Sequence, residues 1–152
     1  MEQVVVSRIT SSSPKYPQVW ELREEILRKP LGMSLRDEDL SLDHLADMII
    51  AESDGKVIAC LLLQPLPDGA VQLRQMAVYE EWQGKGVGRK LVEEAERYCW
   101  QKGYHKIILH ARRVALGFYR SMDYNIIGDE FTEVGIPHFN MEKNNPMPGA
   151  DN

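Results

Sequence analysis

The sequence predicts a single α/β domain: a mixed, mostly antiparallel sheet with helices on both faces. Three observations carry this expectation. Strand-like segments joined by turn signals fill residues 44–78. Residues 86–102 repeat apolar side chains at helical spacing, and a glycine follows them. Between the two, the chain passes from a strand into a helix through Gly84, Gly86 and Gly88.

Taken in order, residues 4–9 are β-branched and read as a first strand. "TSSSP" (residues 10–14) is a loop with helix-start chemistry. Trp20, Leu22, Ile26 and Leu27 place a helix over residues 16–28, which Pro30 should end. Residues 31–41 read as irregular, with an acidic cluster at Asp37, Glu38 and Asp39. Residues 44–52 and 56–64 form a strand pair around Asp54-Gly55, a strong hairpin signal. "PLPDG" is a second turn, and residues 70–78 a third strand of the meander.

In the long helix, Val87, Leu91, Ala95, Tyr98 and Cys99 share a face, and Gly103 is placed to cap its end. A strand is expected at residues 106–111. A short helix follows at 113–122, with Val114, Ala115, Phe118, Tyr119 and Met122 on one side, then final strands at 124–127 and 138–142. The domain should occupy residues 1–143 and leave 144–152 as a disordered polar tail.

The 152 residues carry a net charge of -5, which argues against general nucleic-acid affinity. No apolar run is long enough to suggest a membrane span. The N-terminus has neither a basic segment nor a long apolar one, and Cys60 and Cys99 read as buried thiols. Both points lead to an expectation of a cytoplasmic protein. No His/Cys spacing suggests a metal.

A strand turning through glycines into a helix start can cradle an anion. Helix-start amides lack partners, and glycine lets the backbone approach closely. The nucleotide P-loop and the dinucleotide fingerprint both need a glycine where Arg89 stands, so both fail. A different pattern does match: Gln83-x-x-Gly86-x-Gly88 after the strand "RQMAV". It resembles the pyrophosphate loop of the GNAT superfamily of acyl-CoA-dependent N-acetyltransferases. The later run Ala115-x-x-Phe118-Tyr119-x-x-x-Asp123-Tyr124 resembles that family's second signature, and "GIPH" near the C-terminus resembles an ElaA-like branch.

The resemblance implies a GNAT-like sheet with one splayed strand pair. It also implies acetyl transfer from acetyl-CoA to a primary amine, small-molecule or peptide, by direct attack in a ternary complex. Met76, Ala77 and Val78 would pair with the pantetheine arm. The amides of Gly84, Lys85, Gly86, Val87, Gly88 and Arg89 would take the pyrophosphate, with Gln83 opening the motif. Lys85 and Arg89 would add positive charge. Phe118 and Arg112 complete the cofactor-side set. Arg112 stands where the family often has Asn, and Asp123 stands in place of a glycine.

Tyr119 would donate a proton to the leaving thiolate or orient it. No carboxylate precedes the loop on its strand, so the base is sought in His138 first, with Glu133 and His110 as alternatives. An unperturbed imidazole, near ~6.5, suits proton transfer at neutral pH. Residues 29–43 and the "FTEVGIP" loop would shape the acceptor pocket, their acidic residues favouring a cationic amine. The family often forms dimers, so a homodimer is possible. The missing strand carboxylate keeps one rival in view, a non-catalytic acyl-CoA-binding domain of the same fold.

Overall fold

The structure is a computed structural model that describes residues 3–147. Seven strands form a mixed sheet: β1 (Val5–Ile9), β2 (Asp47–Ser53), β3 (Lys56–Pro65), β4 (Ala70–Val78), β5 (Lys106–Arg112), β6 (Asn125–Glu133) and β7 (Ile136–Asn144). The helices are α1 (Tyr16–Arg23), α2 (Val87–Gln101) and α3 (Leu116–Arg120). The described residues divide into two compact units. One holds the chain up to Gln64 together with Arg74–Tyr98; the other holds Pro65–Leu73 and the chain from Cys99 onward. Strand order is β1-β2-β3-β4-β5-β7-β6, and β4 contributes its first four residues to the second unit and the rest to the first. No described helix is long and apolar enough to cross a membrane.

In the first unit, β1 pairs antiparallel with β2, and β2 with β3. The β2–β3 turn is the expected two-residue hairpin: Asp54 and Gly55 take φ of 51° and 75°, the left-handed pair that matches strand twist. From Val57 to Gln64, β3 is buried at every residue. Such a strand is covered on both faces, which explains its continuous apolar run. Val19 and Leu22 of α1, Met48 and Ile50 of β2, and Cys60 and Leu62 of β3 form one core cluster with Ala77. Each such aliphatic side chain contributes roughly 1.5–3 kcal/mol.

The first helix departs from expectation. Only Tyr16–Arg23 is α-helical; Glu24–Arg28 widens into a π-helix, and Lys29–Leu31 tightens into a 3-10 turn containing Pro30. Its fully buried face is Val19, Leu22 and the charged Arg23; of the expected set, Leu22 lies in the core, Ile26 and Leu27 pack against it, and Trp20 is half-buried. The segment that follows is pinned. Glu24 accepts from the Leu35 amide at 2.8 Å and the Ser34 hydroxyl at 2.7 Å, and Arg28 pairs with Glu38.

In the second unit, β4 and β5 run parallel from Ala70↔Lys106 to Leu73↔Leu109, while β7 lies antiparallel to both β5 and β6. Gly103 caps α2 as expected: its φ is 86°, its amide donates to Trp100 O, and the Tyr104 amide donates to Cys99 O. Two corrections concern the C-terminal half. Val114 is 92% exposed, because residues 113–115 form a 3-10 turn and the helical stripe begins only at Leu116. "FTEVGIP" is not a loop but the tip of a β6–β7 hairpin, turning at Val134 (φ 47°) and Gly135 (φ 75°). The expected tail lies mostly outside the described residues. Its start is tethered, since β7 reaches Asn144 and the Asn145 amide donates to His105 O at 2.8 Å.

Candidate active site

The first unit assembles the glycine loop. After β4, the Tyr79 amide bonds to Ile58 O, and a 3-10 turn over Glu80–Trp82 leads into residues 83–86. Gly84 and Gly86 take φ of 76° and 81°, and a Cβ at either would meet open space. Glycine is therefore required there for backbone conformation, not for room. The Gln83 amide donates to Glu80 O, and the Lys90 amide donates to Gly86 O as the first helical bond. Among the described residues, the amides of Gly84, Lys85, Gly86 and Val87 have no main-chain acceptor. They open at the start of the fifteen-residue α2, where the helix dipole adds partial positive charge.

Gln83 reaches back to donate to Val78 O at 2.9 Å, fastening the loop to the end of β4. Lys85 lies with its ammonium over the Trp82 ring at 5.2 Å, a cation–π contact. Along β4, the Ala77 side chain packs in the core while Met76 and Val78 are half-buried, so Ala77 can offer a ligand only its main chain.

Sequence reasoning missed Gln75, the residue before this stretch. Its φ is 55° in mid-strand, a conformation that costs a non-glycine residue about 1–2 kcal/mol. Two contacts hold it: Arg23 Nε donates to Gln75 Oε1 at 3.3 Å, and the Cys60 thiol donates to its carbonyl at 3.8 Å. Arg23 is itself fully buried and paired with Asp43 at 2.9 Å, and Asp43 also accepts from the Tyr16 hydroxyl. Burial, reinforced by that bond, raises the Tyr16 pKa. Burial also pushes the Cys60 thiol up to about 12, so it is no nucleophile at neutral pH.

The acidic residues expected to draw a cationic acceptor are largely engaged. Glu38 binds Arg28, Asp43 binds Arg23, and Asp39 accepts from the Ser41 amide at 2.9 Å.

The second unit gathers Arg112, Phe118, Tyr119 and His138. Tyr119 is buried, with its ring edge-on to Phe118 and to Tyr124. That burial raises its pKa well above the ordinary phenol value. His138 is 5% exposed; its Nδ1 donates to Ile136 O at 2.8 Å, which leaves Nε2 as the basic nitrogen. Arg112 stands opposite His138 in the β5–β7 ladder, and Phe131 stands opposite it from β6. The three residues considered as alternative bases form one group. Glu133 Oε1 accepts from His110 Nδ1 at 2.8 Å, and Glu133 Oε2 lies 3.8 Å from His138 Nε2.

The sequence matches the Acetyltransferase (GNAT) family over residues 13–124. The chain belongs to that family. Relatives with this family's domain bear the name N-acetyltransferase. An uncharacterized N-acetyltransferase of Chlorobaculum tepidum is 30% identical over 65% of this chain and 63% of its own length. The chain thus spans somewhat under two thirds of that relative. The uncharacterized N-acetyltransferase YjcF of Bacillus subtilis is 24% identical over 89% of this chain and 96% of its own. Among solved structures, Escherichia coli ElaA aligns with a TM-score of 0.82 at 19% identity, covering 93% of this chain and 99% of that one. At that identity the likeness establishes the fold alone.

Proposed function

We propose that this protein transfers the acetyl group of acetyl-CoA to a primary amine of a small molecule or peptide, within a ternary complex. The observation that carries the reading is the loop at residues 83–89, in which, among the described residues, the amides of Gly84, Lys85, Gly86 and Val87 open at the start of α2 without main-chain acceptors. Such a nest suits a pyrophosphate. Bound acetyl-CoA supplies the thioester whose acyl carbon is transferred.

This chain's residues do the rest. The amides of residues 84–89 grip the phosphates, with Gln83 fastening the loop and Lys85 and Arg89 adding positive charge. The main chain of Met76, Ala77 and Val78 holds the pantetheine arm and offers an N–H to polarise the acyl oxygen. Arg112 and Phe118 line the cofactor side. Tyr119 stays protonated, because burial raises its pKa. It therefore serves as a hydrogen-bond donor to the departing sulfur rather than as a strong acid. His138, directly or through one water, takes the proton of the acceptor amine on Nε2.

A cysteine relay is disfavoured by the buried, protonated Cys60 thiol. We place the enzyme in the cytoplasm; Cys60 and Cys99 are both buried outside any disulfide, as suits a reducing compartment.

The test has two steps. Calorimetry with acetyl-CoA should show binding, and an amine panel should then release free thiol at a rate that falls in Tyr119→Phe. No heat and no thermal shift at millimolar acetyl-CoA would overturn the reading. Tight binding without turnover across the panel would leave a non-catalytic acyl-CoA-binding domain.

A further inference from the structure

The β5–β7–β6 ladder places His110, Arg112, His138, Asn140, Phe131 and Glu133 on one face, since directly opposed residues of antiparallel strands share a side. On this face one carboxylate spans two imidazoles. Glu133 Oε1 is tied to His110 Nδ1–H at 2.8 Å, and its other oxygen is 3.8 Å from His138 Nε2. That second separation is too long for a hydrogen bond to a neutral ring, but it suits a counter-charge to a protonated one. The Phe131 ring closes the group, edge-on to His110 at 5.0 Å and tilted against His138 at 6.0 Å.

The hairpin turn next to Glu133 is built under strain. Val134 holds φ 47°, which costs a β-branched residue about 1–2 kcal/mol, and backbone strain of this kind gathers at functional sites.

We infer that Glu133 is a positioning residue that sets the basicity of His138, and that His110 clamps Glu133 in place for this task. The inference rests on the reading of His138 as the base. In the proton step the acceptor's N–H bond breaks, the proton bonds to His138 Nε2, and the electron pair stays on the nitrogen for attack on the acyl carbon. The imidazolium that results donates Nδ1–H to Ile136 O and has the Glu133 carboxylate 3.8 Å from Nε2 as its counter-charge.

The other charged groups around His138 do not substitute for Glu133. Arg112, across the ladder on β5, is a cation and opposes protonation. Arg113 pairs with Glu130 and lies over Phe139, a ring on the opposite side of β7. Glu142, further along β7, is paired with Lys106 at 3.1 Å. The 6%-exposed His138 side chain therefore depends on Glu133 for its compensating charge.

The deciding measurement is an NMR titration of the imidazole nitrogens in the full-length protein, with His138 assigned by its loss in His138→Gln. Glu133→Gln should lower the midpoint at which His138 is protonated by about one unit. His110→Phe should lower it by less, because the freed carboxylate turns toward water, and Glu133→Asp should restore part of the loss. An unchanged midpoint in Glu133→Gln overturns the inference. Acetyl-CoA binding by each variant verifies that the protein is folded. The kinetic profile separates the two claims. If the NMR midpoint moves but the acid limb of kcat/KM does not, Glu133 still tunes His138 and it is the base assignment that fails.

Discussion

The glycine loop of the first unit and the His110–Glu133–His138 group of the second are built by opposite means. The loop is local: its seven residues are consecutive, its donors are main-chain amides, and its shape depends on Gly84 and Gly86 at positive φ. The histidine group is long-range: three strands bring together side chains from residues 110, 133 and 138. One region carries fixed partial charge that no pH near neutrality alters; the other carries groups that titrate. Binding and proton chemistry should therefore separate cleanly under mutation.

The largest expected effect tests that separation. His138→Gln should lower kcat by about 10²–10⁴-fold while leaving the calorimetric affinity for acetyl-CoA unchanged. A matching loss of affinity would break the division. Next comes alkaline stability, measured by denaturant unfolding against pH. Cys60 has a folded pKa near 12 against an unfolded value of 9.0. Its contribution is thus complete below pH 9 and is lost as pH rises toward 12, by up to about 4 kcal/mol. Cys60→Ala should flatten that slope. A flat slope in the wild type would show that the first unit's core is less dry than its burial implies.

Gly86→Val should then weaken acetyl-CoA binding by about tenfold or more without affecting the His138 titration, because valine resists φ 81° by about 1–2 kcal/mol. The smallest effect is a gain: Val134→Asn should stabilise the hairpin by about 1 kcal/mol, read as a raised unfolding midpoint, since asparagine tolerates the left-handed turn.

The same contrast explains what the sequence could reveal. Glycine spacing, the apolar period of α2 and the Asp54-Gly55 turn are neighbour-range signals, and each element they mark is found in place. The Gly103 cap is equally local. Strand pairing is not, and neither is the meeting of His110, Glu133 and His138. Reading "FTEVGIP" as a loop concealed it, because Val134-Gly135 lacks the usual asparagine or aspartate of a tight hairpin. Alternation continued from Asn125 would have put Phe131 and Glu133 on one face. Arg23 was illegible for another reason: a fully buried cation contradicts its own hydropathy until its partners Asp43 and Gln75 are known. Val114 was misassigned because a 3-10 turn breaks the helical period one turn early.

The left-handed twist at Gln75 has a consequence for descent. It is written in the grip of Arg23 and Cys60 on a residue that would otherwise straighten, and so no glycine marks it. Positions 23, 60 and 75 should therefore be inherited as a set. A lineage that loses the arginine has two courses left: a glycine at 75, or a different path for the strand.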